Sequence, residues 1–143
     1  MTTLLIALAA AVALGLLLHV VDGRFRPARG TAPEAGAGDP FLRALPGLGE
    51  HATFVQISAE SCAVCPRVAG VLAGVAGATR GVRHVELRAE AHPDLLERYD
   101  VRRSPTVLVL DGSARVRARA SGAVTRDQAR AALADLIPVE DPR

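Results

Sequence analysis

The two cysteines of this chain stand three residues apart in Ser61-Cys62-Ala63-Val64-Cys65-Pro66, between a short apolar run and a run of helical period. That junction constrains the fold more than any other feature, because it sets a strand, a tight turn and a helix in fixed order. Upstream, Phe54, Val55 and Ile57 within residues 53–58 read as a buried strand. Downstream, Val68, Val71, Leu72 and Val75 fall at i, i+3, i+4 and i+7, so residues 65–79 read as an amphipathic helix. Its three glycines, Gly70, Gly74 and Gly77, each cost about 1 kcal/mol relative to alanine and read as close packing against a sheet. Thiols at this spacing close a small disulfide ring. A helix beginning at the first of them offers it unpaired N–H groups and a positive dipole end. Such a placement lowers a thiol from about 8.5 to roughly 3.5–7.5, which gives a nucleophile at neutral pH.

The remaining pattern extends this unit. Residues 82–88 alternate, with Val85 and Leu87 opposite His84, Glu86 and Arg88, as in a half-polar edge strand. Pro93 opens a short helix through Tyr99, and residues 106–110 are continuously apolar, which suits a strand buried on both faces. Asp111-Gly112 is a hairpin turn leading to residues 114–120, where Arg115, Arg117 and Arg119 guard a second edge with charge. Thr125 and Gln128 form a capping box, and Ala129, Ala132, Leu133, Leu136 and Ile137 make the stripe of a last helix that Pro138 ends. Two strands joined through a helix run parallel with a right-handed crossover, and the hairpin adds an antiparallel edge.

Composition narrows the chemistry. Three Phe, one Tyr and no Trp in 143 residues leave the core to aliphatic side chains. All 17 basic side chains are arginine, yet the net charge is only +2, so no broad nucleic-acid-binding surface is indicated. Two cysteines are too few to staple a secreted scaffold, so their value is chemical. The four histidines show no metal-ligand spacing with the dithiol, and a structural zinc would need the thiols of two copies. Nucleotide-binding and hydrolase signatures are absent. The expectation is therefore no metal and no cofactor beyond a redox-active Cys62–Cys65 disulfide.

Residues 4–21 are apolar apart from His19. At ~1.5 Å per residue they reach about 27 Å, near the hydrocarbon thickness of a bilayer. With neither a basic start nor a small-residue cleavage site just beyond, they read as a single span in the cell membrane rather than a signal peptide. Arg24, Arg26 and Arg29 follow the span, which favours the cytoplasmic side for the rest of the chain over the extracytoplasmic side. Residues 22–40, rich in Gly, Ala and Pro towards their end, read as a flexible linker. The folded domain is expected over residues 41–138, opening with a short helix at 41–45, and residues 139–143 as a tail.

The order of elements, with a dithiol at the first strand-to-helix junction, resembles the thioredoxin-like family. The residues that carry the likeness are Ala59-Glu60-Ser61-Cys62, Cys62-Ala63-Val64-Cys65, Glu90-Ala91-His92-Pro93 and Tyr99-Asp100-Val101-Arg102-Arg103-Ser104-Pro105-Thr106. It covers residues 53–137, and the character is that of small membrane-tethered bacterial proteins of this group. The resemblance implies an α/β thioredoxin-like fold with a central mixed sheet of about four strands flanked by helices, preceded by one transmembrane helix. It implies that Cys62 attacks and Cys65 resolves, that Pro105 is a cis-proline, and that Ser104 and Pro105 dock the substrate chain. The chain departs from the family at several positions. Ser61 replaces a Trp, Ala63-Val64 replaces Gly-Pro, and Gly70 stands where many members have a helix-kinking proline. Gln56 aligns with the buried Asp that assists proton transfer, and Glu86 with a Lys near it. Gln56, Glu86 and Arg67 are thus candidate modulators of the thiols.

The function implied is a membrane-anchored thiol–disulfide oxidoreductase acting on protein or small disulfides, with an upstream electron donor or acceptor. The alternatives are a thiolate metal-transfer module, since thiolates suit Cu(I), and a persulfide carrier on Cys62.

Overall fold

The computed structural model describes residues 2–28 and 39–138, with residues 19–21 described by backbone alone. Arg29, most of the Gly- and Ala-rich stretch and the tail at 139–143 lie outside the described residues. A five-stranded mixed sheet forms the centre, made of β1 (Arg26–Pro27), β2 (Ala52–Ser58), β3 (Val82–Arg88), β4 (Thr106–Asp111) and β5 (Val116–Ser121) in the order β1-β5-β4-β2-β3. β2 and β3 run parallel and are joined through α3 (Cys65–Gly77), while β2–β4, β4–β5 and β1–β5 are antiparallel. The other helices are α1 (Thr2–Val21), α2 (Pro40–Arg43), α4 (Pro93–Arg98) and α5 (Arg126–Ala131).

Burial explains why β2 and β4 are central. Every residue of β2 is buried, as are Thr106 to Leu110 of β4, so both strands are covered on both faces. On one face Phe54, Val107 and Val109 pack with Val68, Leu72 and Val75 of α3 and with Ala129 and Leu133. On the other, Val55, Ile57, Leu108 and Leu110 pack with Leu42, Leu95 and Tyr99. The last helix is shorter than its apolar stripe: α5 ends at Ala131, and Leu136 and Ile137 follow in turns that donate to the carbonyl of Leu133.

Three expectations need correction. The sheet has five strands rather than about four, because a two-residue strand precedes the domain and pairs with β5, Arg26 opposite Arg119 and Pro27 opposite Ala118. β5 is therefore not an edge. The same segment shows that the linker is not uniformly free. Gly23 donates to the carbonyl of Ser121 at 3.0 Å, Ala28 donates to that of Arg117 at 3.1 Å, and the ring of Phe25 lies 6.4 Å from that of Phe54. At the far end of the stretch, Asp39 is only 4% exposed. Finally, two of the three helix glycines do not serve close packing: a Cβ at Gly70 or Gly77 would meet nothing within 4 Å, and one at Gly74 would meet only the end of the Arg126 side chain at an ordinary 3.7 Å.

Two of the glycines that geometry does require lie where the N-terminal segment meets the loop after β5. Gly122 has φ +92°, and a side chain there would run into the carboxylate of Asp22. Gly23 has φ +72° and lies against the backbone of Ala123. As for α1, Leu4, Leu5, Leu8, Leu14 and Leu18 are all exposed along it. Among the described residues no helix is long and apolar enough to cross a membrane.

Asp39 anchors the start of the domain. Arg98 Nη1 donates to both of its carboxylate oxygens at 2.8 Å, and Tyr99 Oη and the Phe41 amide each donate at 2.8 Å. Burial alone would raise its carboxyl, but the hydrogen bonds from Arg98, Tyr99 and Phe41 outweigh it and hold the group below 3.8. Burial and the adjacent Asp39 together push the Tyr99 hydroxyl up. Because the folded value is the lower one, this stabilisation is complete above 3.8 and is lost as the pH falls through the folded value. Asp39→Ala should cost roughly 2–3 kcal/mol at neutral pH, less than for a wholly buried pair because Arg98 is partly exposed. Urea titrations at neutral pH and near pH 3 check this, with the difference between wild type and variant shrinking in acid. In the opposite direction, Gly70→Ala should stabilise by about 1 kcal/mol, seen as a higher urea midpoint with unchanged slope.

Candidate active site at the dithiol

β2 delivers the chain into a turn that Cys62 closes by donating its amide to the carbonyl of Ala59 at 3.1 Å. The turn is also held by Glu90, whose carboxylate accepts the amide of Glu60 at 2.8 Å, a bond that keeps the Glu90 carboxyl below its ordinary value. α3 begins at Cys65 rather than at Cys62, because Val64 is the residue before the first helical turn. The first cysteine therefore sits one turn ahead of the helix and receives its dipole end on, with the Cys65 amide donating to Cys62 Sγ at 3.1 Å. Pro66 falls in the first turn, where its missing N–H is not needed. The two sulfurs are joined as a disulfide with Cα atoms 5.5 Å apart. Cys62 is half-buried and Cys65 is 3% exposed, so an incoming sulfur reaches the first far more easily.

Facing the disulfide is the loop that leads into β4. The Ser104–Pro105 peptide is cis. Thr106 Oγ1 donates to the carbonyl of Arg103 at 2.7 Å, and the amide of Gly122 donates to that of Pro105 at 2.9 Å, which fixes the loop from both ends. Between loop and disulfide lies an open groove of about 450 Å³, lined by Cys62, Val64, Leu96, Val101, Arg103 and Ser104 among others. Val64, 41% exposed, supplies an apolar contact beside the reactive sulfur.

Beneath the dithiol is a polar cluster. Gln56 is fully buried on β2, and its Nε2 donates to the carbonyl of Cys65 at 3.0 Å and to Ser58 Oγ at 2.9 Å, with Glu86 Oε1 at 3.4 Å. Ser58 Oγ in turn donates to Glu86 Oε1 at 2.5 Å, and His84 Nε2 lies 3.2 Å from Gln56 Oε1. The parallel register makes this meeting inevitable, because Gln56 stands opposite Glu86, with Phe54 and Ser58 opposite His84 and Arg88. Of the three candidate modulators, Gln56 and Glu86 are thus joined, whereas the side chain of Arg67 is exposed and makes no hydrogen bond or ion pair among the described residues. Ser58 and His84 are the members that reading the sequence passes over. Ser58 carries a weak signal, a hydroxyl two residues from Gln56 on a strand with no solvent face.

No family profile matches the sequence, and no curated protein matches it. Solved structures do resemble the fold. Thioredoxin-2, described as a component of the malaria parasite protein secretion machinery, superposes with a TM-score of 0.53 at 14% identity, over 59% of this chain and 82% of its own. Chloroplastic thioredoxin z gives 0.54 at 22% identity, over 61% and 79%. A malarial protein gives 0.53 at 14% identity, over 61% and 98%. The fold is thioredoxin-like.

Within the cluster, burial pushes the imidazole of His84 below 6.5, and the charge of Glu86 only partly offsets this. The neutral ring is the form the fold prefers. Its contribution to stability is therefore complete above 6.5 and declines as the pH falls through the folded value. Unfolding free energies measured across this interval should fall with acid in the wild type. In His84→Gln, which keeps a donor for Gln56, that fall should be absent.

Proposed function

We propose that the protein is a thiol–disulfide oxidoreductase whose reactive group is the Cys62–Cys65 dithiol. The observation that carries this reading is the accessible Cys62 sulfur, which receives a helix-end amide and faces a cis-Ser104–Pro105 loop across an open groove. In the reducing direction, the Cys62 thiolate attacks one sulfur of a substrate disulfide, forming a mixed disulfide and releasing one substrate thiolate. Cys65 loses its proton and attacks Cys62 Sγ, which expels the second substrate thiolate and leaves the Cys62–Cys65 disulfide. Two electrons pass to the substrate. Run backwards, the same steps oxidise a substrate dithiol. Ser104 keeps a backbone N–H and C=O that suit pairing with an extended segment, and Pro105 offers none of the competing donors.

The buried carboxylate that would ordinarily take the proton of the second thiol is replaced by Gln56, which cannot titrate. Glu86 is the carboxylate hydrogen-bonded into the same cluster, through Ser58 and Gln56 to the backbone of Cys65. We assign it the role of proton acceptor when Cys65 attacks. The chain is further read as held to the cell membrane by α1, along which the leucines are exposed, with the arginines after it favouring the cytoplasmic side.

Turnover with a small disulfide tests the assignment. Cys62→Ser should abolish activity, Cys65→Ser should accumulate the mixed disulfide visible by mass, and Glu86→Gln should slow the resolving step and flatten its pH dependence while leaving the first attack unchanged. Full activity of Cys62→Ser would overturn the whole reading. An unaltered pH profile in Glu86→Gln would remove only the role given to Glu86.

A further inference from the structure

Where α1 meets the folded domain there is a cavity of about 500 Å³, lined by Leu18, Asp22, Arg24, Arg26, Arg103 and Arg119 among others. Four guanidinium groups share it with one carboxylate. That carboxylate is already committed: Asp22 Oδ1 pairs with Arg103 at 2.6 Å, and Oδ2 accepts the amide of Ala123 at 3.1 Å. Arg119 spends its hydrogen bonds on neutral acceptors, the carbonyls of Tyr99 at 2.7 Å and Asp100 at 3.4 Å, so its charge is not cancelled. The side chains of Arg24 and Arg26 make no hydrogen bond or ion pair among the described residues. Arg26 and Arg119 are moreover directly opposite in the β1–β5 register, an arrangement that repulsion disfavours unless something negative lies between them.

We propose that this cavity binds the phosphate of an anionic phospholipid headgroup. Guanidinium forks match phosphate oxygens in pairs, and basic pockets at the foot of a lipid-facing helix suit acidic headgroups. The lipid is favoured over free phosphate by Leu18, which places the apolar surface of α1 at the rim of the same cavity, where acyl chains would continue from the headgroup. The inference rests on the reading of α1 as a membrane anchor. It adds a consequence for the site: Arg103 lines both this cavity and the dithiol groove, so a bound headgroup holds the docking loop at the bilayer surface.

The test uses the full chain. Flotation with carbonate-washed vesicles reports whether α1 inserts. Native mass spectrometry of protein released from nanodiscs of mixed phosphatidylcholine and phosphatidylglycerol reports retained lipid. The expected result is preferential retention of phosphatidylglycerol, with affinity lowered on the order of tenfold or more in the double variant R24Q/R26Q, whose side chains hold no part of the fold together. Equal retention of the two lipids, equal retention by the variant, or displacement of phosphatidylglycerol by millimolar inorganic phosphate would overturn it. If the chain does not float, the anchor reading fails by itself. Binding of a soluble short-chain phosphatidylglycerol, compared between wild type and R24Q/R26Q, then still decides the pocket.

Discussion

The structure depends on one strand that has no face to solvent. β2 is buried along its whole length between two apolar layers built almost wholly from Val, Leu, Ile and Ala. A strand so placed cannot carry an unpaired polar group without a cost of about 1–3 kcal/mol. Its three polar side chains are accordingly all engaged: Thr53 Oγ1 accepts the amide of Gly49 at 2.9 Å, and Gln56 and Ser58 bind each other. Among the described residues no buried side-chain nitrogen or oxygen is without a partner. The position of the reactive pair follows from this requirement, since satisfying Gln56 fixes the carbonyl of Cys65 and with it the first turn of α3.

The same constraint accounts for what could be read from the sequence. β2, β4 and α3 announce themselves because burial on both faces, or on one helical stripe, demands apolar residues at fixed intervals. The dithiol and the Arg103-Ser104-Pro105-Thr106 loop are legible because chemistry, rather than packing, selects those residue types. What escapes is structure held by few and polar contacts. β1 has two residues, Arg26 and Pro27, and no alternation to betray it. Its only apolar signal is Phe25, a single ring against Phe54. Asp39 sits beside a Gly- and Ala-rich stretch, yet its partners Arg98 and Tyr99 lie some sixty positions away, a pairing no local pattern can show.

The polar cluster beneath the dithiol is built locally. Gln56 stands where the resemblance to thioredoxins would place a buried acid, and the carboxylate that reaches it belongs to Glu86, which lies opposite it on β3 and accepts from Ser58. Glu86 is exposed, so its charge is screened by solvent and its field at Cys65 is weak. The group that touches a sulfur directly is instead the helix-end amide of Cys65, which donates to Cys62 Sγ.

The N-terminal segment then acquires a structural meaning that a free tether would lack. Asp22 pairs with Arg103 immediately before Ser104, and Gly23 and Gly122 are both shaped so that this segment can lie against the loop after β5. Because that loop also donates to the carbonyl of Pro105, any force that moved α1 relative to the sheet would be felt at the Ser104–Pro105 loop through two short connections. One runs through an ion pair and the other through backbone hydrogen bonds. Half-exposed ion pairs weaken with salt, whereas backbone hydrogen bonds beside the sheet do not, so the second connection carries the geometry and the first adjusts it.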